Sequence, residues 1–76
     1  MLNWAWIHQC IDGTWIQFDC LSCMVLESKW NQWKKDMSIT CKLIIGSISF
    51  DKMTAEREID GKITTFKIKR TENKNR

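Results

Sequence analysis

The chain opens with a stretch, Trp4-Ala5-Trp6-Ile7-His8-Gln9, that predicts a strand from Asn3 to Gln9. Trp4 and Trp6 then share one face, and Ala5 and Ile7 the other. "CIDGT" follows, and its Asp12-Gly13 pair signals a tight turn. Trp15 to Phe18 reads as the returning strand, so an aromatic hairpin is expected. The period then changes. Leu26, Trp30, Trp33 and Met37 recur at i, i+4, i+7 and i+11, the apolar stripe of a helix over about residues 22–35. Ser22 suits its N-cap, with Asp19 as the competitor. The tryptophans of this stripe are expected to pack the helix on a sheet.

After the helix the β-branched run "SITCKLIIGSISF" returns to strand, with Gly46 marking a bulge or a close approach. "FDKMT" reads as one helical turn. "AEREI", "DGK" and "ITTFKIKR" form a second hairpin. In its last strand Phe66, Ile68 and Arg70 share a face, and Lys67 and Lys69 point the other way. No internal repeat and no linker interrupt the pattern, so residues 1–70 form one domain. Residues 71–76, "TENKNR", read as a disordered basic tail. The expected fold is α+β: a curved antiparallel half-barrel sheet packed on one α-helix.

Composition sharpens this. A 76-residue chain lies near the lower size for a self-sufficient core, and five Trp and three Phe supply large buried area per residue. Charge is uneven: residues 1–38 hold three Lys against four Asp/Glu, net −1, while residues 39–76 hold nine Lys/Arg against five, net +4. A basic end can meet phosphates, although single lysines usually serve a solvated face. No stretch approaches the roughly 18 apolar residues of a membrane span, and the start lacks a secretory pattern. An intracellular protein, in cytoplasm or nucleus, with reduced thiols at Cys10, Cys20, Cys23 and Cys41 is expected.

Candidate chemistry is thin. Cys20-x-x-Cys23 has zinc-ligand spacing, with His8, Cys10 and Cys41 as further donors, but the second close pair is missing, and no metal is expected. His8 is the only histidine, and neither a nucleophile elbow nor a phosphate-cradling glycine loop accompanies it. No catalytic residue and no cofactor are assigned. An aromatic sheet with a basic edge can bind single-stranded nucleic acid, with tryptophans stacking bases and Lys67, Lys69 and Arg70 meeting phosphates.

Trp6, "DGTW" ending at Trp15, "IQFD", Leu26-Glu27, "ISFDKM" and "TTFKIKR" together resemble a WWE domain from about Trp4 to Arg70. The signature residues of that family would be Trp6, Trp15 and Glu27, the two tryptophans packed at the floor of a half-barrel. The resemblance implies a non-catalytic interaction module of a larger protein in ADP-ribosylation or ubiquitylation, with ADP-ribose or poly(ADP-ribose) as ligand. In the family an aromatic-lined half-barrel grips an adenine while basic and amide groups meet phosphates. At the corresponding pocket positions this chain has His8, Ile16, Gly46, Ala55 and Phe66 in place of a tyrosine, a tryptophan, a tyrosine, a glutamine and an arginine. His8 can still stack or donate a hydrogen bond, Ile16 marks the pocket wall, and Arg57, Lys67, Lys69 or Arg70 can restore charge. Three readings follow: an ADP-ribose reader, a protein-interaction or structural module whose pocket is filled in, and a single-strand binder.

Overall fold

The computed structural model describes residues 4–73. Six strands and one helix follow in the order β1 (Trp4–Gln9), β2 (Trp15–Gln17), α1 (Cys20–Lys35), β3 (Cys41–Leu43), β4 (Gly46–Ser49), β5 (Thr54–Ile59) and β6 (Lys62–Glu72). The strands form one antiparallel sheet in the order β2-β1-β6-β5-β4-β3, left open between β2 and β3, with α1 packed on it. The α+β class and the single covering helix are those the sequence predicts.

Both expected hairpin turns are present. Asp12 caps its own turn, accepting from the Thr14 hydroxyl at 2.7 Å and the Thr14 amide at 3.0 Å. Asp60 and Gly61 both have positive φ, 51° and 77°, the geometry that lets a two-residue turn follow the strands' twist. Four details differ from the sequence reading. Asp19, not Ser22, caps the helix, which begins two residues early: its carboxylate accepts from the Ser22 amide at 3.4 Å. Met37 lies past the Asp36 C-cap and is exposed. Residues 50–53 form a turn rather than a helical turn, closed where the Ile68 amide donates to the Met53 carbonyl at 3.0 Å. Thr71 and Glu72 belong to β6, paired with Ala5 and Trp4, so the tail does not begin at residue 71. Its last three residues and Asn3 lie outside the described residues.

The core sits between α1 and one face of the sheet. Trp6, Leu26, Cys23, Ile48, Phe50, Ala55 and Ile68 are buried in it, and Trp30 and Trp33 pack against it from the helix. Trp6 meets Trp30 and Phe50 edge-on, each with ring centroids 5.8 Å apart. Cys23 adds a polar tie: its thiol lies 3.4 Å from the Phe18 carbonyl, and burial raises its pKa, as it does that of Cys41. These two thiols are packing groups. All four cysteines are free, and among the described residues no three His, Cys, Asp or Glu side chains gather as a metal site. No helix among them is long and apolar enough to cross a membrane.

Candidate functional site: the concave face

Strand pairing decides which side chains meet. Residues opposite each other on neighbouring strands share a face. His8 pairs with Ile16 on one side and Ile68 on the other, so the three stand together on the face that carries the helix. Ala55 pairs with Phe66, and Arg57, two residues on, shares their face. The helix covers only part of this surface. Beyond its N-terminal end the curved sheet leaves a cavity of about 750 Å³, lined by His8, Ile16, Phe18, Ile45, Arg57 and Phe66 together with the β1–β2 turn. Three residues singled out from sequence, His8, Ile16 and Arg57, therefore converge. The walls are chiefly apolar. His8 stands against Phe18 with ring centroids 4.8 Å apart.

Charge on this lining is sparse. Asp12 and Asp19 reach the rim, but the first is held by Thr14 and the second by the Ser22 amide. The Thr14 and Ser22 hydroxyls first, and their backbone amides second, keep both carboxyls below their usual range. Arg57 has no ion-pair or hydrogen-bond partner among the described residues and is the cation available to a ligand. A second depression, of about 480 Å³ at the β3–β4 turn, is lined by Lys42, Ser47, Glu56 and Glu58, shares Arg57 and Ile45 with the first, and has no aromatic wall.

The remaining sequence candidates go elsewhere. Lys69 does not face the cavity. It stands on the opposite face, its ammonium 4.9 Å from the centroid of the Trp15 ring. Trp15 is not at the floor of the half-barrel: it retains 38% of its exposure, on the outer face with Lys69. An exposed cation–π contact of this kind contributes only about 0.5–1 kcal/mol. Gly46 and Ala55 present no functional side chain, and a residue with a Cβ at position 46 would meet the Glu56 backbone. Phe18, which the "IQFD" motif contains but no sequence reading assigned to a site, completes the wall with Ile45 and Ile59, whose signal was only their apolar character.

Trp6 and Glu27 form the structural centre beside the cavity. The Trp6 Nε1–H donates to Glu27 Oε1 at 3.0 Å. Arg70 donates to both carboxylate oxygens, from Nε at 2.9 Å and from its terminal nitrogen at 2.6 Å. The Arg70 guanidinium also lies 4.0 Å from the centroid of the Trp4 ring. One helix carboxylate thus joins β1, β6 and α1, and its three accepted bonds satisfy it in a half-buried place. This network uses up Arg70, which is not free to meet a phosphate.

The Arg70 hydrogen bond is the main reason the Glu27 carboxyl titrates below its usual 4.5, with the Trp6 bond assisting against burial. Because the folded-state value is the lower one, the stabilisation is fully present above about pH 4.5 and is lost as pH falls through the folded value. We expect the urea midpoint to fall with acidification below pH 4.5, and the Glu27→Gln variant, already destabilised at neutral pH, to show a shallower acid decline. Parallel pH curves for the two proteins would show that the network carries no pH-dependent stability.

Compared with known proteins, the chain matches no family model, no curated protein and no solved structure.

Proposed function

We propose that the chain is a non-catalytic interaction module of the WWE type, belonging to a larger intracellular protein of ADP-ribosylation or ubiquitylation. Its concave cavity takes ADP-ribose or one unit of poly(ADP-ribose). The observation that carries this reading is the convergence of His8, Ile16 and Arg57 on one cavity with apolar and aromatic walls. A pocket of several hundred Å³ with few polar groups is the form that small-ligand sites take. An adenine would lie against His8, Phe18 and Phe66, with Ile16 beneath its edge. Arg57 would donate two parallel hydrogen bonds to a phosphate. With isoleucine and glycine where the family has rings, the base loses stacking, so the affinity is expected to be modest.

The test is a titration of the domain with ADP-ribose and iso-ADP-ribose, followed by amide chemical shifts. Saturable shifts centred on His8, Ile16 and Arg57 are expected. Arg57→Ala should weaken binding about tenfold or more, the worth of a charged hydrogen bond. No response to either nucleotide at millimolar concentration would reject the reading.

One observation favours a second reading. The rim holds two carboxylates, Asp12 and Asp19, against one guanidinium, and the walls are largely apolar. A doubly charged pyrophosphate gains little there, whereas a large apolar side chain of a partner protein, with one acidic neighbour for Arg57, fits both features. Silence with the nucleotides, together with binding of peptides that place a bulky apolar residue beside a carboxylate, would move the function to this reading.

A further inference from the structure

The outer face of the sheet carries a second group of residues, of which only Gln17 also borders the cavity. Trp15 and Gln17 flank Ile16 on β2, so they stand opposite it, away from the helix. Ile7 pairs with Gln17 on one side and with Lys69 on the other, which sets Lys69 on this outer face beside Trp15. Lys67 is two residues earlier on the same strand and the same face. Trp15, Gln17, Lys67 and Lys69 are all exposed. No ion pair engages either lysine among the described residues.

The charge on this face is polarised. β1 and β2 present no carboxylate here, only Ile7, Gln9, Trp15 and Gln17, while Ala5 is buried. The face's carboxylates, Glu56 and Glu58, lie on β5 opposite Thr65 and Ile63, so Glu56 is a diagonal neighbour of Lys67 while Lys69 and Trp15 stand clear of both. What remains at the β2–β1–β6 end is an indole held on a paired strand, two adjacent cations and two side-chain amides. The lysines are two strand residues apart, roughly 7 Å. That is comparable to the spacing of successive phosphates along an extended single strand.

We propose that this outer patch binds single-stranded nucleic acid, with one base stacked on the Trp15 indole and successive phosphates on Lys67 and Lys69. The contact that now covers the indole is exchangeable. Lys69 rests 4.9 Å from the ring centroid in an exposed cation–π pair, and a phosphate beside the stacked base gives its ammonium a stronger partner while freeing the ring. Only an unpaired base exposes the π-face this requires, so a duplex does not satisfy the site. A lipid surface would use the lysines but would find only one indole and Ile7 as apolar groups to bury. The patch is separate from the concave cavity, and the two can succeed or fail independently.

Fluorescence anisotropy of a labelled octauridylate with the full chain tests this. The expected result is saturable binding whose logarithmic salt slope is about −1.4, two phosphates on a single strand. Trp15→Ala should weaken it about 5- to 150-fold, Trp15→Phe should restore most of the loss, and the Lys67→Gln, Lys69→Gln double variant should flatten the salt slope. Trp15 is exposed, so its variants keep the fold, which circular dichroism verifies. The proposal is overturned if Trp15→Ala binds as well as the parent, or if the matching duplex or phosphatidylserine vesicles bind equally tightly. Displacement of the strand by excess ADP-ribose would also overturn it, by placing the strand in the cavity. A domain that binds the strand but ignores ADP-ribose would reject the cavity reading alone.

Discussion

Trp6→Ala is expected to destabilise the domain by about 3–5 kcal/mol, and Trp15→Ala by no more than about 1 kcal/mol. A chain of this length has a total stability of roughly 4–11 kcal/mol, so the first change leaves it marginal or unfolded at room temperature. The two residues are of one type and lie on neighbouring strands. Their environments separate them. Trp6 is 0% exposed, touches Trp30 and Phe50 edge-on, and donates its indole N–H to Glu27. Its removal opens a cavity that the surrounding rings cannot close. It also withdraws one of the three hydrogen bonds on a half-buried carboxylate. Trp15 lies on the outer face, and its ring contact is with an exposed lysine chain. Urea denaturation followed by far-ultraviolet circular dichroism measures both. Equal losses would mean that Trp15 is a core residue and that the outer patch does not exist.

The strands and the helix were legible because each has a local cause. Asp12-Gly13 and Asp60-Gly61 can only be tight turns between apolar runs, and both hairpins form where they stand. The Leu26, Trp30, Trp33 spacing fixed the buried side of the helix. Met37 continued that spacing arithmetically, yet the backbone had already left the helix at Asp36. What local pattern cannot supply is which face of a strand is covered. Alternation placed Trp15 and Ile16 on opposite faces, but not which of them met the helix side. That depends on the β1–β2 and β1–β6 registers, which join residues far apart in the chain. The same holds for Arg70. Its place on the face of Phe66 and Ile68 was readable, whereas its pairing with Glu27, 43 residues away, needed the fold. The polar composition of Thr71 and Glu72 suggested a loose tail, and pairing with Ala5 and Trp4 overrode it. In the cavity, His8, Ile16 and Arg57 came from sequence. Phe18, Ile45 and Ile59 join them only because the sheet curves.

Gly46→Ala is expected to cost at least about 3 kcal/mol, in the range where a small domain begins to unfold. Gly46 starts β4, where it pairs with Leu43 on β3 and lies beside β5. A Cβ built there falls 1.8 Å from the Glu56 carbonyl oxygen and 2.8 Å from its carbon, both backbone atoms. A backbone group cannot rotate out of the way as the end of a side chain can. The strand must therefore move by more than an ångström, against the Ser47–Glu56 and Ile48–Ala55 pairs that hold it to β5. Those pairs place Ile48 and Ala55 in the core, so the displacement reaches the packing around them. The φ of Gly46, 146°, adds a conformation that alanine rarely adopts. Gly13 separates the two causes. It also has a positive φ, 89°, but nothing lies within 4 Å of its Cβ position. Gly13→Ala should lose only about 1 kcal/mol, the backbone part alone. If the two substitutions shift the denaturation midpoint equally, close approach of β5 is not what requires glycine at position 46. If Gly46→Ala alone collapses the transition, the sheet on the Ile45 side of the cavity is held by contact too tight for any side chain, and no ligand-binding ring can be restored there by substitution.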